Sequence, residues 1–295
     1  MGRILDIGDG AAGLRVRDSQ LVIGLAEGGE VTTPLAELAA VVISGAHVVM
    51  TQAVIAGVAD SGGAVVICDA RHLPAAMMLP IQAHVTQTER FACQARMPLP
   101  LRKRLWRQIV AAKIRAQGRL LADLHQDDGG LVALSQRVAP GDSGNLEGRA
   151  AQRYWPLLFA DPGFRRGREG PDQNANLNYG YAVLRALTAR ALCGAGLHPS
   201  LGLQHHNRYD PFCLANDLME PFRPLVDRAV YAWVQDHDPS ATLEKQAKAF
   251  LVAPMLAAYT WQGETRSLFD WVARSASSLV AAITAKGREL ELAEV

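Results

Sequence analysis

The sequence predicts an α+β protein: a small β-rich, sandwich-like domain over residues 1–82, followed by a larger all-α domain over residues 83–295. Three observations predict it. β-branched runs bounded by glycine or charge, such as Val41-Val42-Ile43 and Val65-Val66-Ile67, are confined to the first 80 residues. Leu73 to Gln82 carries Pro74 and Pro80 and reads as a linker. Beyond it, apolar residues recur at helical spacing to the end of the chain.

In the first domain, Gly8-Asp9-Gly10 and Glu27-Gly28-Gly29-Glu30 mark turns, and Leu14, Val16, Leu21, Ile23 and Leu25 between them suit half-buried strands. The apolar window Ala39 to Ala59 is broken by Ser44, Gly45, His47, Thr51 and Gln52. It reads as strand, turn and buried helix, with the helix over Thr51 to Ala59, and not as a membrane span. No glycine-rich phosphate loop occurs, because SGGAVV lacks the lysine and the spacing of one.

In the second domain, Pro98 and Pro100 divide Glu89 to Leu124 into two helices. This region is basic, with no acidic residue from Arg90 to Leu121, and includes Arg102, Lys103 and Arg107. Such a helix is either a solvated surface or one that tracks phosphates. Phe164-Arg165-Arg166-Gly167-Arg168 reads as a flexible loop: either a mobile surface segment or a backbone-tracking one with Phe164 stacking on a base. Asn176 to Tyr181 opens a further helix that Gly194 and Gly196 end. The last two helices, about Glu244 to Ala258 and Leu268 to Glu289, read as packing elements.

Composition leaves the function open. Lys+Arg is 30 against Asp+Glu 29, so net charge argues neither for nor against nucleic acid. The four cysteines, Cys68, Cys93, Cys193 and Cys213, form no C-x-x-C pair and suit a reduced, cytoplasmic setting. The N-terminus lacks the basic start and apolar run of a signal peptide.

Chemistry concentrates in Gly202 to Asp227. His205 and His206 precede a helix that carries Asp217 and Glu220 three positions apart, hence on one face. Phe212, Leu214, Leu218, Phe222, Leu225 and Val226 make the opposite, buried face. Pro221 predicts a kink or a new helical segment just after Glu220. The stretch is either a kinked helix with a solvated acidic face or a cation site. Carboxylates with imidazole and no thiolate suit Mg²⁺ or Mn²⁺. A further acid, Glu147, falls in the first turn of a helix that Ser143 or Asn145 can cap, and small residues beside it allow close packing.

Four runs carry a resemblance: E-G-x-A-A-x-x-Y-W from Glu147 to Trp155, N-Y-G-Y from Asn178 to Tyr181, G-L-x-P-x-L-G from Gly196 to Gly202, and D-L-M-E-P-F-R-P-L-V-D from Asp217 to Asp227. Together they resemble the CRISPR-associated endonuclease/integrase of spacer acquisition, "Cas-one". G-x-x-L-x-I-x-x-G from Gly2 to Gly10 and C-D-A-R-H-x-P from Cys68 to Pro74 extend the likeness to the N-terminal half. The HHN and EPFRPLVD wording is most similar to the type II systems.

The resemblance implies a β-rich dimerisation domain, a helical catalytic domain and a metal site of Glu147, His205 and Glu220. Asp217, His206 and Arg223 stand beside these, Asp217 as a further ligand or as a support. It also implies Mg²⁺ or Mn²⁺ as cofactor, double-stranded DNA as substrate, a homodimer, a small partner "Cas-two" in a heterohexamer, and the type II RNA-guided effector as a further partner. Arg102, Lys103, Arg107, Arg165, Arg166 and Arg168 are the expected DNA contacts. The rival readings are a DNA-binding scaffold with a structural acidic cluster and a metal-dependent hydrolase of another phosphoester.

Overall fold

The computed structural model describes residues 3–69, 74–80, 84–167, 170, 172–238, 243–285 and 287–294. The N-terminal part holds eight strands, β1 (Arg3–Ile7), β2 (Ala11–Arg17), β3 (Gln20–Leu25), β4 (Glu30–Pro34), β5 (Leu38–Ile43), β6 (Val49–Met50), β7 (Ala64–Cys68) and β8 (Pro74–Met78), and one helix, α1 (Gln52–Asp60). They form two four-stranded sheets, ordered β1-β5-β7-β8 and β4-β3-β2-β6. In the first, β1, β5 and β7 run parallel and β8 returns antiparallel. Helix α1 supplies part of the β5–β7 connection, as a parallel pair requires. Asp18 and Ser19, both at positive φ, make the two-residue turn between β2 and β3.

Strand β5, LAAVVI, is buried at every position. A strand covered on both faces reads as a continuous apolar run. Its side chains divide between two cores: Leu38, Val41 and Ile43 join Leu14, Leu21 and Val58 inside the sandwich. Ala40 and Val42, with Val66 of β7, face the helices instead. One sheet thus serves as the floor of the helical half.

The described helices continue with α2 (Gln87–Ala95), α3 (Leu99–His125), α4 (Leu131–Ser135), α5 (Leu146–Leu158), α6 (Gln173–Gly194), α7 (Cys213–Leu218), α8 (Arg223–Asp236) and α9 (Lys245–Leu256). A hairpin, β9 (Ala258–Trp261) with β10 (Glu264–Ser267), then leads into α10 (Leu268–Thr284). The expected all-α half therefore contains a small antiparallel element. Leu105, Trp106, Ile109, Val110, Ile114 and Leu121 bury one side of α3. Helix α6 is the central one, buried along most of its length. Gly180 lets it approach α8, because a Cβ there would collide with Val226.

Helix α6 begins three residues before Asn176, where Asp172 accepts a hydrogen bond from the Asn174 amide. Helix α10 ends at Thr284, short of the expected Glu289. The chain then doubles back. Leu290 donates its amide to Gln108 Oε1 at 2.8 Å, Leu292 and Ala293 are buried, and Glu294 pairs with Arg115 and Arg119 of α3. The expected domain junction near residue 82 lies outside the described residues.

Candidate active site

Glu147 stands in the first turn of α5. The helix start is fixed by Asp142, whose carboxylate accepts from the amides of Leu146 at 2.8 Å and Glu147 at 3.0 Å. The capping side chain is therefore neither Ser143 nor Asn145, although Asn145 occupies the N-cap position. Asn145 takes the left-handed conformation before the helix and makes no side-chain cap.

Asp217 and Glu220 do not share one regular helix. Helix α7 ends at Leu218, a single tight turn spans Glu220–Phe222 with Pro221 inside it, and α8 starts at Arg223. The break between the two acids falls at Met219, one residue before Glu220, whereas the kink expected at Pro221 lies after both. Neither faces solvent, since Asp217 is 0% and Glu220 2% exposed, which removes the solvated acidic face.

Asp217 organises the histidine loop. Its Oδ2 accepts from the amides of Leu203 at 2.6 Å and Gln204 at 3.1 Å. Its Oδ1 meets the His205 amide at 3.4 Å and His205 Nδ1 at 2.5 Å. Gly202 is required here, because a Cβ would collide with the His205 carbonyl. Arg102 of α3 closes the loop from the other side. Its guanidinium donates to the carbonyls of Leu203 at 3.2 Å and Gly202 at 3.3 Å, and it touches the His206 ring. A carboxylate thus holds the loop's amides and a guanidinium its carbonyls.

With Nδ1 committed to Asp217, His205 keeps Nε2 for another partner. Trp106 stands edge-on to the His205 ring at 5.8 Å. The Asp217 hydrogen bond raises the His205 pKa against the opposing effect of burial, and the charges of Asp217, Glu220 and Glu147 add to it. His206 moves the other way, lowered by desolvation and by Arg102.

Lys113 of α3 joins the two glutamates. Its Nζ lies 2.7 Å from Glu147 Oε1 and 2.7 Å from Glu220 Oε2. Arg223 Nη2 lies 3.0 Å from the other Glu220 oxygen, Oε1. Burial alone would raise the Glu220 carboxyl, but Arg223 and Lys113 together hold it below the usual carboxylate range. Burial would likewise lower the Lys113 ammonium, and Glu220 and Glu147 outweigh that and raise it.

Lys113 was legible in the sequence only as one cation of a basic stretch. Its signal is its register: it stands four residues after Ile109 and four before Gln117, within the buried stripe of α3. A lysine in an apolar stripe calls for an anionic partner.

A buried tyrosine–carboxylate cluster lies behind these groups. Asp227 of α8 accepts from Tyr154 of α5 at 2.7 Å and from Tyr181 of α6, tying three helices together. Burial pushes its carboxyl up to about 6, though both tyrosines oppose the shift. Beside the cluster opens a cleft of about 860 Å³, whose lining includes Lys113, Trp155, Arg165, Arg223 and Asp227.

This chain order and this fold recur in known proteins. The family model of "CRISPR associated protein Cas1" matches residues 7–252. The chain belongs to the Cas1 family. It is 32% identical over 267 residues to the "CRISPR-associated endonuclease Cas1" of Neisseria meningitidis serogroup C, covering 90% of this chain and 87% of the relative. Among solved structures, a "Casposase bound to integration product" superimposes with a TM-score of 0.82 at 19% identity, over 98% of this chain and 92% of that one. A CAS1 protein from Thermotoga maritima gives 0.76 at 15% identity, over 98% and 99%. A "Cas6-RT-Cas1--Cas2 complex" gives 0.75 at 20% identity, over 98% and 36%. At these identities the three structures show the fold, a β-rich N-terminal part followed by a helical one.

The two acids and the imidazole expected of a Cas1 site come from separate segments: Glu147 and Glu220 share Lys113, and His205 feels the charge of both. Among the described residues, however, no three His, Cys, Asp or Glu side chains converge as metal ligands do. The Lys113 ammonium stands between the carboxylates. The donor chemistry still suits a hard divalent ion, with two carboxylates and an imidazole whose Nε2 is uncommitted. Glu220 Oε2, buried, has Lys113 as its ion-pair partner but no aligned hydrogen-bond donor.

The expected DNA contacts divide. Lys103 and Arg107 are exposed on α3, Lys103 lying against the Gly141 turn just before α5. Arg102 is occupied by the histidine loop. Arg165 is exposed and its guanidinium donates to the carbonyls of Pro162 and Phe164 in its own turn, whereas Arg166 donates to Asn174 at 2.9 Å and Asn178 at 2.6 Å and lies over the Tyr181 ring. Phe164 is buried against Trp155 and Phe159, so it offers no face to a base. The described part of this loop is pinned, and Arg168 lies outside the described residues.

Proposed function

We propose that this chain is a divalent-metal-dependent DNA endonuclease and integrase that inserts short DNA fragments into a CRISPR array. The observation that carries the reading is the bridging of Glu147 and Glu220 by the Lys113 ammonium, with His205 near enough to feel the charge of both acids, in a member of a family whose Neisseria relative is named an endonuclease. The wording of the histidine and E-P-F-R-P runs is most similar to the type II systems.

Glu147, Glu220 and His205 Nε2 would hold Mg²⁺ or Mn²⁺. The bound ion would polarise a phosphodiester and stabilise charge on the departing oxygen. Asp217 acts through His205, fixing the ring so that Nε2 is left to ligate or to move a proton. Arg223 braces Glu220. The reaction is attack by a 3′-hydroxyl of the incoming DNA on a phosphorus of the target: a new O–P bond forms, the bond to the target's 3′-oxygen breaks, and the proton passes from attacking to leaving oxygen. One phosphodiester replaces another, so no nucleotide cofactor is consumed. Water in place of the 3′-hydroxyl gives nuclease activity.

The chain would work as a homodimer with a small Cas2-type partner. The structural neighbour that is a "Cas6-RT-Cas1--Cas2 complex" supports this partner. The type II RNA-guided effector is a further proposed partner. Of the residues expected to contact DNA, Arg165, Lys103 and Arg107 are exposed and free to meet it. A competing reading, a DNA-binding scaffold with a structural acidic cluster, draws on Lys113, which neutralises both glutamates without a metal.

The test is an integration assay with the purified chain, with and without the small partner, Mn²⁺ or Mg²⁺, a short duplex and a plasmid carrying a repeat. Joining of duplex 3′ ends to the repeat, abolished by chelation, is the expected result. Binding of both DNAs with no joined product under any metal would refute it.

A further inference from the structure

We propose that Lys113 is a resident counter-ion that occupies the catalytic pocket until a divalent cation displaces it. The inference rests on the metal reading above and adds to it a threshold: the ion must compete with part of the protein. Lys113 Nζ lies 2.7 Å from Glu147 Oε1 and 2.7 Å from Glu220 Oε2, so one ammonium bridges both carboxylates that would serve as ligands.

The local charge count supports displacement. Glu147 and Glu220 stand against Lys113 and Arg223, and this set is neutral as it is. A divalent ion added to it would meet an ammonium in a buried setting, where like charges repel far more than in water. Asp217 is already engaged by His205, so withdrawal of one of the two cations is what relieves this repulsion. Arg223 is held by Glu220 Oε1 and lies over the Tyr181 ring at 4.8 Å. Lys113 has a flexible four-carbon stem and a single point charge. It also has somewhere to go, because it lines the cleft of about 860 Å³ beside the site.

Burying a lysine is unfavourable, and the stripe around it, Ile109, Val110 and Ile114, gives no packing reason for a charge. Its contribution is to let two carboxylates approach each other before any metal arrives. The pocket is thereby folded and idle at low divalent concentration.

The experiment measures Mn²⁺ binding to the full chain by electron paramagnetic resonance, together with thermal unfolding with and without Mn²⁺. Wild type, Lys113→Met, Lys113→Arg and Glu147→Gln are compared. Lys113→Met is expected to melt earlier than wild type without metal and to bind Mn²⁺ about tenfold or more tightly, as a freed carboxylate pair gains a partner. Lys113→Arg keeps the charge and adds a fork that can hold both carboxylates, so it should bind Mn²⁺ no more tightly than wild type.

Mn²⁺ binding to Lys113→Met no tighter than to wild type would overturn the proposal while leaving the metal reading intact. Equal binding by wild type and Glu147→Gln would instead remove the metal from this pocket, and both readings with it. If Lys113→Met does not fold, a crystal structure of wild type with Mn²⁺ decides. Lys113 Nζ withdrawn from the carboxylates supports displacement, and Mn²⁺ bound with both Lys113 contacts kept overturns it.

Discussion

Asp217 holds His205 twice, through the ring nitrogen Nδ1 at 2.5 Å and through the backbone amide at 3.4 Å. The same carboxylate takes the amides of Leu203 and Gln204, so one buried acid sets both the loop and the imidazole it presents.

Replacing Asp217 therefore reads out on His205 itself. The Asp217 bond raises the His205 pKa, so its stabilisation is complete below the ordinary imidazole value of about 6.5 and is lost as pH rises through the raised value. Asp217→Asn should lower the His205 pKa in an NMR titration and flatten the fall in stability above about pH 6.5. Leaving amides without an acceptor should also cost about 1–3 kcal/mol. An unchanged titration would show that the contact does not govern the ring.

Asp227 gives a second pH dependence of the same sign from a different cause. Burial lifts its carboxyl from 3.8 to about 6. The protonated form is favoured in the fold, so the contribution of Asp227 to stability is greatest below pH 3.8 and declines up to about pH 6. The decline amounts to about 3 kcal/mol in order of magnitude. Denaturant unfolding of Asp227→Asn across this range should show a flatter profile than wild type, and an equal slope would count against the assignment. Tyr154→Phe removes a donor to Asp227 and should destabilise by about 1–3 kcal/mol.

Much of this architecture was legible in the sequence, and the misses have physical reasons. Val41-Val42-Ile43 and the Pro98–Pro100 break mark a strand and a helix boundary by local chemistry alone, the strand itself extending back to Leu38. Glu147, His205 and Glu220 carried their signal in motif wording. What stayed hidden were pairings across the fold. Lys113 and Arg102 read as cations of a basic helix, yet one bridges two acids and the other clamps a loop about a hundred residues away. Phe164 follows a turn and precedes arginines, which suggested exposure; only the packing of α5 brings Trp155 and Phe159 over it. The β9–β10 hairpin is four residues a side, too short for its period to stand out between helices.

The two arginines of the Phe164 loop should separate in their effects. Arg165→Ala should leave thermal stability unchanged and reduce the salt dependence of DNA binding by about one phosphate contact, a slope change of ~0.9. Arg166→Ala removes bonds to Asn174 and Asn178 and should lower stability by about 1–3 kcal/mol. Identical salt slopes for wild type and Arg165→Ala would exclude Arg165 from the contact.

Glu147, His205 and Glu220 are proposed to form one strand-joining pocket in a DNA-binding protein. Glu147→Ala tests it most directly, with DNA affinity and strand joining measured on the same preparation. Affinity should stay within about threefold of wild type while joining falls about a hundredfold or more. Joining that survives the substitution, or that falls only in step with DNA binding, would contradict it.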